Sequence, residues 1–173
     1  MTGLRAVAAA LACATLVACA PELNWREVPG NDAHYTVLLP SKPATHARTI
    51  DLDGLKVEMS MTGAAVDELS FVVASARIPD PAQRAAALTA MQQAMLRNIR
   101  AAKHTEKPVT LKGGATGTEI VADGQAARDG RPLVMYARFA AQGERVYQAI
   151  ALGPRDKLSA EAADTFLGSL ALH

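Results

Sequence analysis

The chain has 173 residues, half of them hydrophobic and 20 % charged, with 18 Lys and Arg against 17 Asp and Glu. That length suits one domain with a core of its own. The near-even charge gives neither the basic excess of a nucleic-acid binder nor the acidic tail of a disordered segment. Aromatic residues make up 4 % of the chain, too few for platforms that stack bases or sugars.

Arg5 is followed by an apolar run from Ala6 to Ala18, and then by Cys19. The run is too short to span a bilayer and no stop-transfer charges follow it, so it reads as a secretory signal peptide. Cys13 lies within it. Cys19 is then the one cysteine left, and no intramolecular disulfide can form. Leu16-Val17-Ala18-Cys19 resembles the lipobox of bacterial lipoproteins, in which small residues precede a cysteine that becomes the mature N-terminus and carries palmitate-type acyl chains. The resemblance implies cleavage after Ala18, lipidation of Cys19 and a permanent tether, because stable anchoring takes at least two acyl chains. Ala20 in place of Asp after the cysteine implies the outer membrane, with the domain facing the periplasm. The expected organisation is 1–18 signal peptide, 19–33 lipidated tether with a short edge segment, and 34–173 a single domain.

Trp25, the only tryptophan, lies in that edge segment. Its indole is expected to rest on the domain, with a role as a partner anchor as the alternative. Pro29-Gly30-Asn31-Asp32 is a turn-forming cluster. Tyr35–Leu39 reads as a strand ended by Pro40 and Pro43. Asp53-Gly54 is a strong two-residue hairpin signal. Pairing through it sets Leu52 against Leu55, Ile50 against Val57 and Asp51 against Lys56, so apolar meets apolar and acid meets base. Ser70–Ile78 is the next strand. Asp80-Pro81-Ala82-Gln83 then opens a helix, with Asp80 as cap, Pro81 at the first helical position and Gln83 as capping-box partner. The helix is expected to run to about Ala102, with Leu88, Met91, Met95, Ile99 and Ala102 as its apolar stripe. Arg97, Arg100, Lys103 and His104 crowd its end. Dipole complementarity explains them, and contact with anionic headgroups is the alternative.

Pro108–Leu111 reads as a short strand and Lys112-Gly113-Gly114 as a loop. A meander follows through Thr116–Ala126, Leu133–Ala141 and Glu144–Leu152, turning at Asp129-Gly130 and Gln142-Gly143. The expected pairs are Ile120 with Phe139, Ala126 with Leu133, Phe139 with Val146, and Met135 with Ile150. One register then gives a single apolar face across three strands. The opposite face carries Val121, Val134, Tyr136, Tyr147, Ala149 and Ala151 beside Arg138 and Arg145, and a covering element is expected there. Ser159 caps a final helix whose stripe is Ala163, Phe166, Leu167 and Leu170.

The element order β-β-β-β-α-β-β-β-β-α defines an α+β fold: a largely antiparallel sheet covered by two main helices, an α/β/α sandwich. Four features resemble the PsbP-like fold of the extrinsic photosystem subunit and the Mog-type import factor. They are Tyr35–Leu39 ending in Pro40, the Asp53-Gly54 hairpin, the long helix after Phe71–Ile78, and Phe166-Leu167-Gly168-Ser169-Leu170. The resemblance implies binding of proteins or assistance to membrane-associated assemblies, and carries over no functional residue.

Catalytic chemistry has no signature. No Gly-x-Ser-x-Gly occurs, Cys19 is used by the lipid, and His34, His46, His104 and His173 have no triad spacing. Nothing resembles a metal motif. Lys112-Gly113-Gly114-Ala115-Thr116-Gly117 lacks the end of a phosphate loop. Met59, Met61, Met91, Met95 and Met135 could offer thioethers to Cu(I), but their strand and helix spacing places them in an alanine-rich core. Asp123 and Asp129 lie near turns that sequence cannot bring together. The expectation is a non-catalytic envelope lipoprotein, without cofactor or nucleic acid, held to the membrane by its lipid and binding a protein partner or assisting envelope assembly. The alternative is a carrier with a small apolar ligand between sheet and helix.

Overall fold

A computed structural model describes residues 22–30 and 33–173; the signal segment and Cys19 lie outside the described residues. In chain order the strands before the first helix are β1 (Arg26–Pro29), β2 (Tyr35–Leu39), β3 (Ala44–Leu52), β4 (Leu55–Val66) and β5 (Leu69–Arg77). Helix α1 (Pro81–Asn98) leads to β6 (Lys103–Thr110), β7 (Thr116–Gln125), β8 (Pro132–Gln142) and β9 (Arg145–Pro154). Helix α2 (Ala160–Ser169) and β10 (Ala171–Leu172) close the described chain. The main sheet has seven strands in the order β3-β4-β5-β9-β8-β7-β6, every neighbour antiparallel. A second sheet of three strands, β1-β2-β10, stands apart from it.

Local chemistry explains the elements. Asp53 and Gly54 both take positive φ, 52° and 91°, as a type I′ turn requires. The pairs Leu52–Leu55, Asp51–Lys56 and Ile50–Val57 form as the turn dictates. The Asp80 carboxylate accepts the Ala82 N–H at 2.8 Å and starts α1. Gln83 is exposed and makes no capping-box bond among the described residues. The helix stops at Asn98, four residues before the expected end. Arg100 adopts φ 49°, and the Ala101 N–H returns to Leu96 O at 2.9 Å, a Schellman closure built on arginine in place of glycine. The residues freed from the helix extend the following strand back to Lys103. Ser159 caps α2 through the Ala162 N–H at 3.1 Å.

The main sheet buries both faces. On one, α1 sets Ala87, Ala90, Met91 and Ile99 over Met59, Ala74, Ile120, Met135, Phe139 and Val146. On the other, α2 and the small sheet set Phe166, Leu167, Val37 and Leu39 over Phe71, Val73, Tyr147, Ala149 and Ala151. These are the two helix-covered faces of an α+β sandwich, and the small sheet completes the cover expected over the second face. Trp25 packs edge-on against Phe71 at 5.7 Å, and Phe71 against Phe166 at 5.5 Å. The edge segment around Trp25 is therefore β1, paired with β2 and part of the folded unit.

The meander registers differ from the expected ones by two residues. Ile120 pairs with Ala137 and Gly124 with Leu133; Phe139 pairs with Gln148 and Met135 with Leu152. Asp129-Gly130 sits in a longer loop closed by Ala126 N–H to Arg131 O and Gly130 N–H to Ala126 O, both 2.9 Å. Gln142 pairs with Arg145, which moves the second turn to Gly143-Glu144. A slip of two preserves side-chain alternation, so the apolar face survives it. At Gly124 the end of α1 lies directly on β7; a Cβ there would collide with Ile99 O, and Gln125 N–H donates to that oxygen at 2.6 Å.

Candidate interaction surface

The two outer strands of the seven-stranded sheet are β3 and β6. β3 is nine residues long, and Ala44–Thr49 and Asp51 are exposed. The two-residue turn makes Leu52–Leu55 a hydrogen-bonded pair, so even-numbered residues of β3 bond to β4. The N–H and C=O groups of Thr45, Ala47, Thr49 and Asp51 then point outward along an unpaired edge. Arg48 on this strand has no carboxylate partner among the described residues.

Beside this edge the α1 face of the sheet is bare. Helix α1 starts near the β3–β4 turn, where Gln83, Ala86 and Ala87 adjoin Leu52–Leu55, and ends against Gly124 of β7. It crosses the sheet obliquely and leaves uncovered the corner where β3 begins and β4 ends. A shallow hollow of about 320 Å³ lies there, lined by Ala44, His46, Met61, Gly63, Ala65 and Val72. Its wall is mainly carbon, because the side chains are small or apolar.

The β6 edge is built otherwise. It carries Lys103, His104, Glu106, Lys107 and Pro108 in eight residues. Leu111 N–H donates to Ala115 O at 2.8 Å, and ladder alternation from that pair turns the even residues of β6 outward. Pro108 therefore removes a donor from the free edge. Lys107 is fixed to Glu119 at 2.8 Å, and Glu119 is held by Arg138 Nε and Nη2, each at 2.8 Å. Arg138 Nη1 also donates to Leu167 O at 2.9 Å, in the last turn of α2. Burial pushes the Glu119 carboxyl up, but the hydrogen bonds and charges of Lys107 and Arg138 outweigh it and hold the group below the usual carboxylate range. The Lys157 and Arg131 hydrogen bonds hold exposed Glu68 low in the same way.

These perturbed carboxylates are ion-pair clamps, one on β7 and one in the turn between β4 and β5, and neither lines one of the described hollows. Asp123 pairs with Lys103 and Arg155, whereas Asp129 pairs with Arg131, so the two are not brought together for acid–base work. His34 and His173 line one hollow, His46 another and His104 a third. No group of three or more His, Cys, Asp and Glu that could hold a metal ion occurs among the described residues. Met59, Met91 and Met135 are buried under α1, while Met61 and Met95 are half-buried against the same core. Those methionines and Phe139 pack the space between the sheet and α1. No described helix is long and apolar enough to cross a membrane. Cys19 lies outside the described residues, so lipidation stands on sequence. The β3 edge escaped the sequence reading because edge position depends on strand order, which local pattern does not encode.

No protein-family model matches the chain, and no curated protein matches it. Among solved structures it is similar to LpqN, involved in cell envelope biogenesis of Mycobacterium tuberculosis, with a TM-score of 0.46 and 17 % identity over 88 % of this chain and 80 % of that one. It is also similar to PA94, a Pseudomonas aeruginosa protein of unknown function, with a TM-score of 0.38 and 12 % identity over 65 % of this chain and 86 % of that one.

Proposed function

We propose that the chain is a non-catalytic lipoprotein of the bacterial envelope, tethered through Cys19 to the outer membrane and facing the periplasm, that binds a protein partner by strand addition to β3. The observation that carries the binding reading is the pairing of an unprotected nine-residue edge with an apolar hollow beside it. Strand addition gains backbone hydrogen bonds along the edge, and alternate side chains supply specificity. The fitting occupant is an extended segment with apolar residues at every second position, lying over Ala44 and Met61, and a carboxylate opposite Arg48. The PsbP-like resemblance belongs to the same proposal, since it too implies protein binding.

Two experiments test it. Cys19→Ser should move the protein from the membrane to the soluble periplasmic fraction; unchanged retention would remove the tether. For the edge, a blocked hexapeptide with Val, Val and Glu at alternate positions and Thr between them should slow amide exchange at Thr45, Ala47 and Thr49 when titrated into the protein. Protection at β6, or at neither edge, would refute strand addition to β3.

A further inference from the structure

Two open hollows meet on the α2 face of the main sheet, opposite the face that carries the apolar corner. Their volumes are about 420 and 450 Å³, and Arg77 and Arg145 line both. Glu58 and Ser75 line the larger one, and Gln142 the smaller.

Three observations there lack an explanation in the fold. Arg77 and Arg145 face each other directly across β5 and β9, a like-charge pairing that destabilises a sheet. Glu144 offsets Arg77 at 2.5 Å, but Arg145 has no carboxylate partner among the described residues. Glu58 lines the same hollow and has no cation partner among the described residues. Strand β5 lies between its strand and that of Arg145, so their backbones stand roughly 10 Å apart. Finally, Ser75 is only 2 % exposed, lines the hollow, and its Oγ has no hydrogen-bond partner among the described residues. The buried Oε1 of Gln142, on the other side of the arginine pair, also has no partner among the described residues. Buried polar atoms left unpaired cost free energy unless something else fills the role.

We propose that the larger hollow binds a small zwitterion, an amino acid or short peptide with free termini. Its carboxylate sits on Arg145, its ammonium on Glu58, and Ser75 Oγ takes a hydrogen bond from or gives one to the bound backbone. A simple anion would meet the Glu58 carboxylate, and a simple cation would meet two guanidinium groups. A ligand with both charges satisfies both walls at once. The hollow also touches Thr45 and Ala47 of β3, but the groups that hold the ligand lie on β4, β5 and β9, so the site does not depend on strand addition.

The test is titration of the full chain with L-alanyl-L-alanine, read by calorimetry and by amide chemical shifts. The dipeptide should shift Ser75, Arg77 and Arg145. Arg145→Gln or Glu58→Gln should each weaken binding about tenfold or more, and Ser75→Ala about threefold, with the unfolding midpoints of the two surface variants close to that of the parent. The N-acetylated, C-amidated dipeptide should not bind. Absence of shifts, equal binding of the blocked dipeptide, acetate binding as tightly as the dipeptide, or full retention of affinity in Arg145→Gln would each overturn the proposal.

Discussion

The two edges of the main sheet are outer strands of similar length treated in opposite ways. β6 bears Lys103, His104, Glu106 and Lys107, with Pro108 interrupting its outward donors, and Lys107 ties it to the buried Glu119–Arg138 pair. These are the means by which natural sheets prevent edge-to-edge association. β3 has no proline, a cation at Arg48 with no carboxylate partner among the described residues, and an uncovered apolar corner beside it. A single sheet that closes one edge with such care and leaves the other open is what the strand-addition proposal rests on. The closed edge shows that the fold can protect a strand where pairing is unwanted.

The contrast can be broken from either side. Between the edges, the larger effect is expected at the closed one. Arg138→Ala leaves buried Glu119 with Lys107 alone and takes the side-chain donor from the end of α2, and should cost about 3 kcal/mol in urea unfolding. Proline scanning gives the next effect. Thr105→Pro in β6 removes an N–H that bonds inward to β7 and should cost about 2 kcal/mol, whereas Ala47→Pro removes an outward N–H of β3 and should cost less than about 1 kcal/mol. Equal losses would mean that β3 is not free.

Acid sensitivity follows. The folded-state Glu119 carboxyl is held below its ordinary value. Its contribution is therefore fully present above the unfolded carboxylate range, near about pH 4, and is lost as pH falls through the folded value. Glu119→Gln should flatten that acid limb of the stability profile. Helix α1 supplies a control that touches neither edge. Met91→Ala, at a site 2 % exposed, should cost roughly 2–5 kcal/mol. Met95→Ala, at a half-buried site, should cost nearer 1 kcal/mol, less than the sequence stripe implies.

Local signals were legible where the chemistry is local. Asp53-Gly54 dictated its hairpin to the residue, and Asp80-Pro81 and Ser159 marked both helix starts. The meander turns were legible only to within two residues, because Asp129-Gly130 and Gln142-Gly143 admit more than one loop length. The end of α1 was hidden by Arg100, which takes a left-handed conformation that sequence reading assigns to glycine or asparagine. Of the three-stranded sheet, Tyr35–Leu39 and the edge segment were legible, but their joining into a sheet of their own was not. It forms because the chain end returns as β10 to pair with β2, a contact between Leu172 and Tyr35 that no local pattern announces. The candidate sites were missed for the same reason. Arg77, Arg145, Glu58 and Ser75 lie on three strands, and only the order β4-β5-β9 brings them to one hollow.

Site-specific photo-crosslinking in intact cells tests the central claim most directly. A crosslinking residue at Thr49 of β3 and another at Glu106 of β6 compare the two edges in the envelope itself. A discrete crosslinked band from Thr49, absent from Glu106 and abolished by Ala47→Pro, is the predicted result. Equal bands from both edges, or a Thr49 band that survives Ala47→Pro, would contradict it.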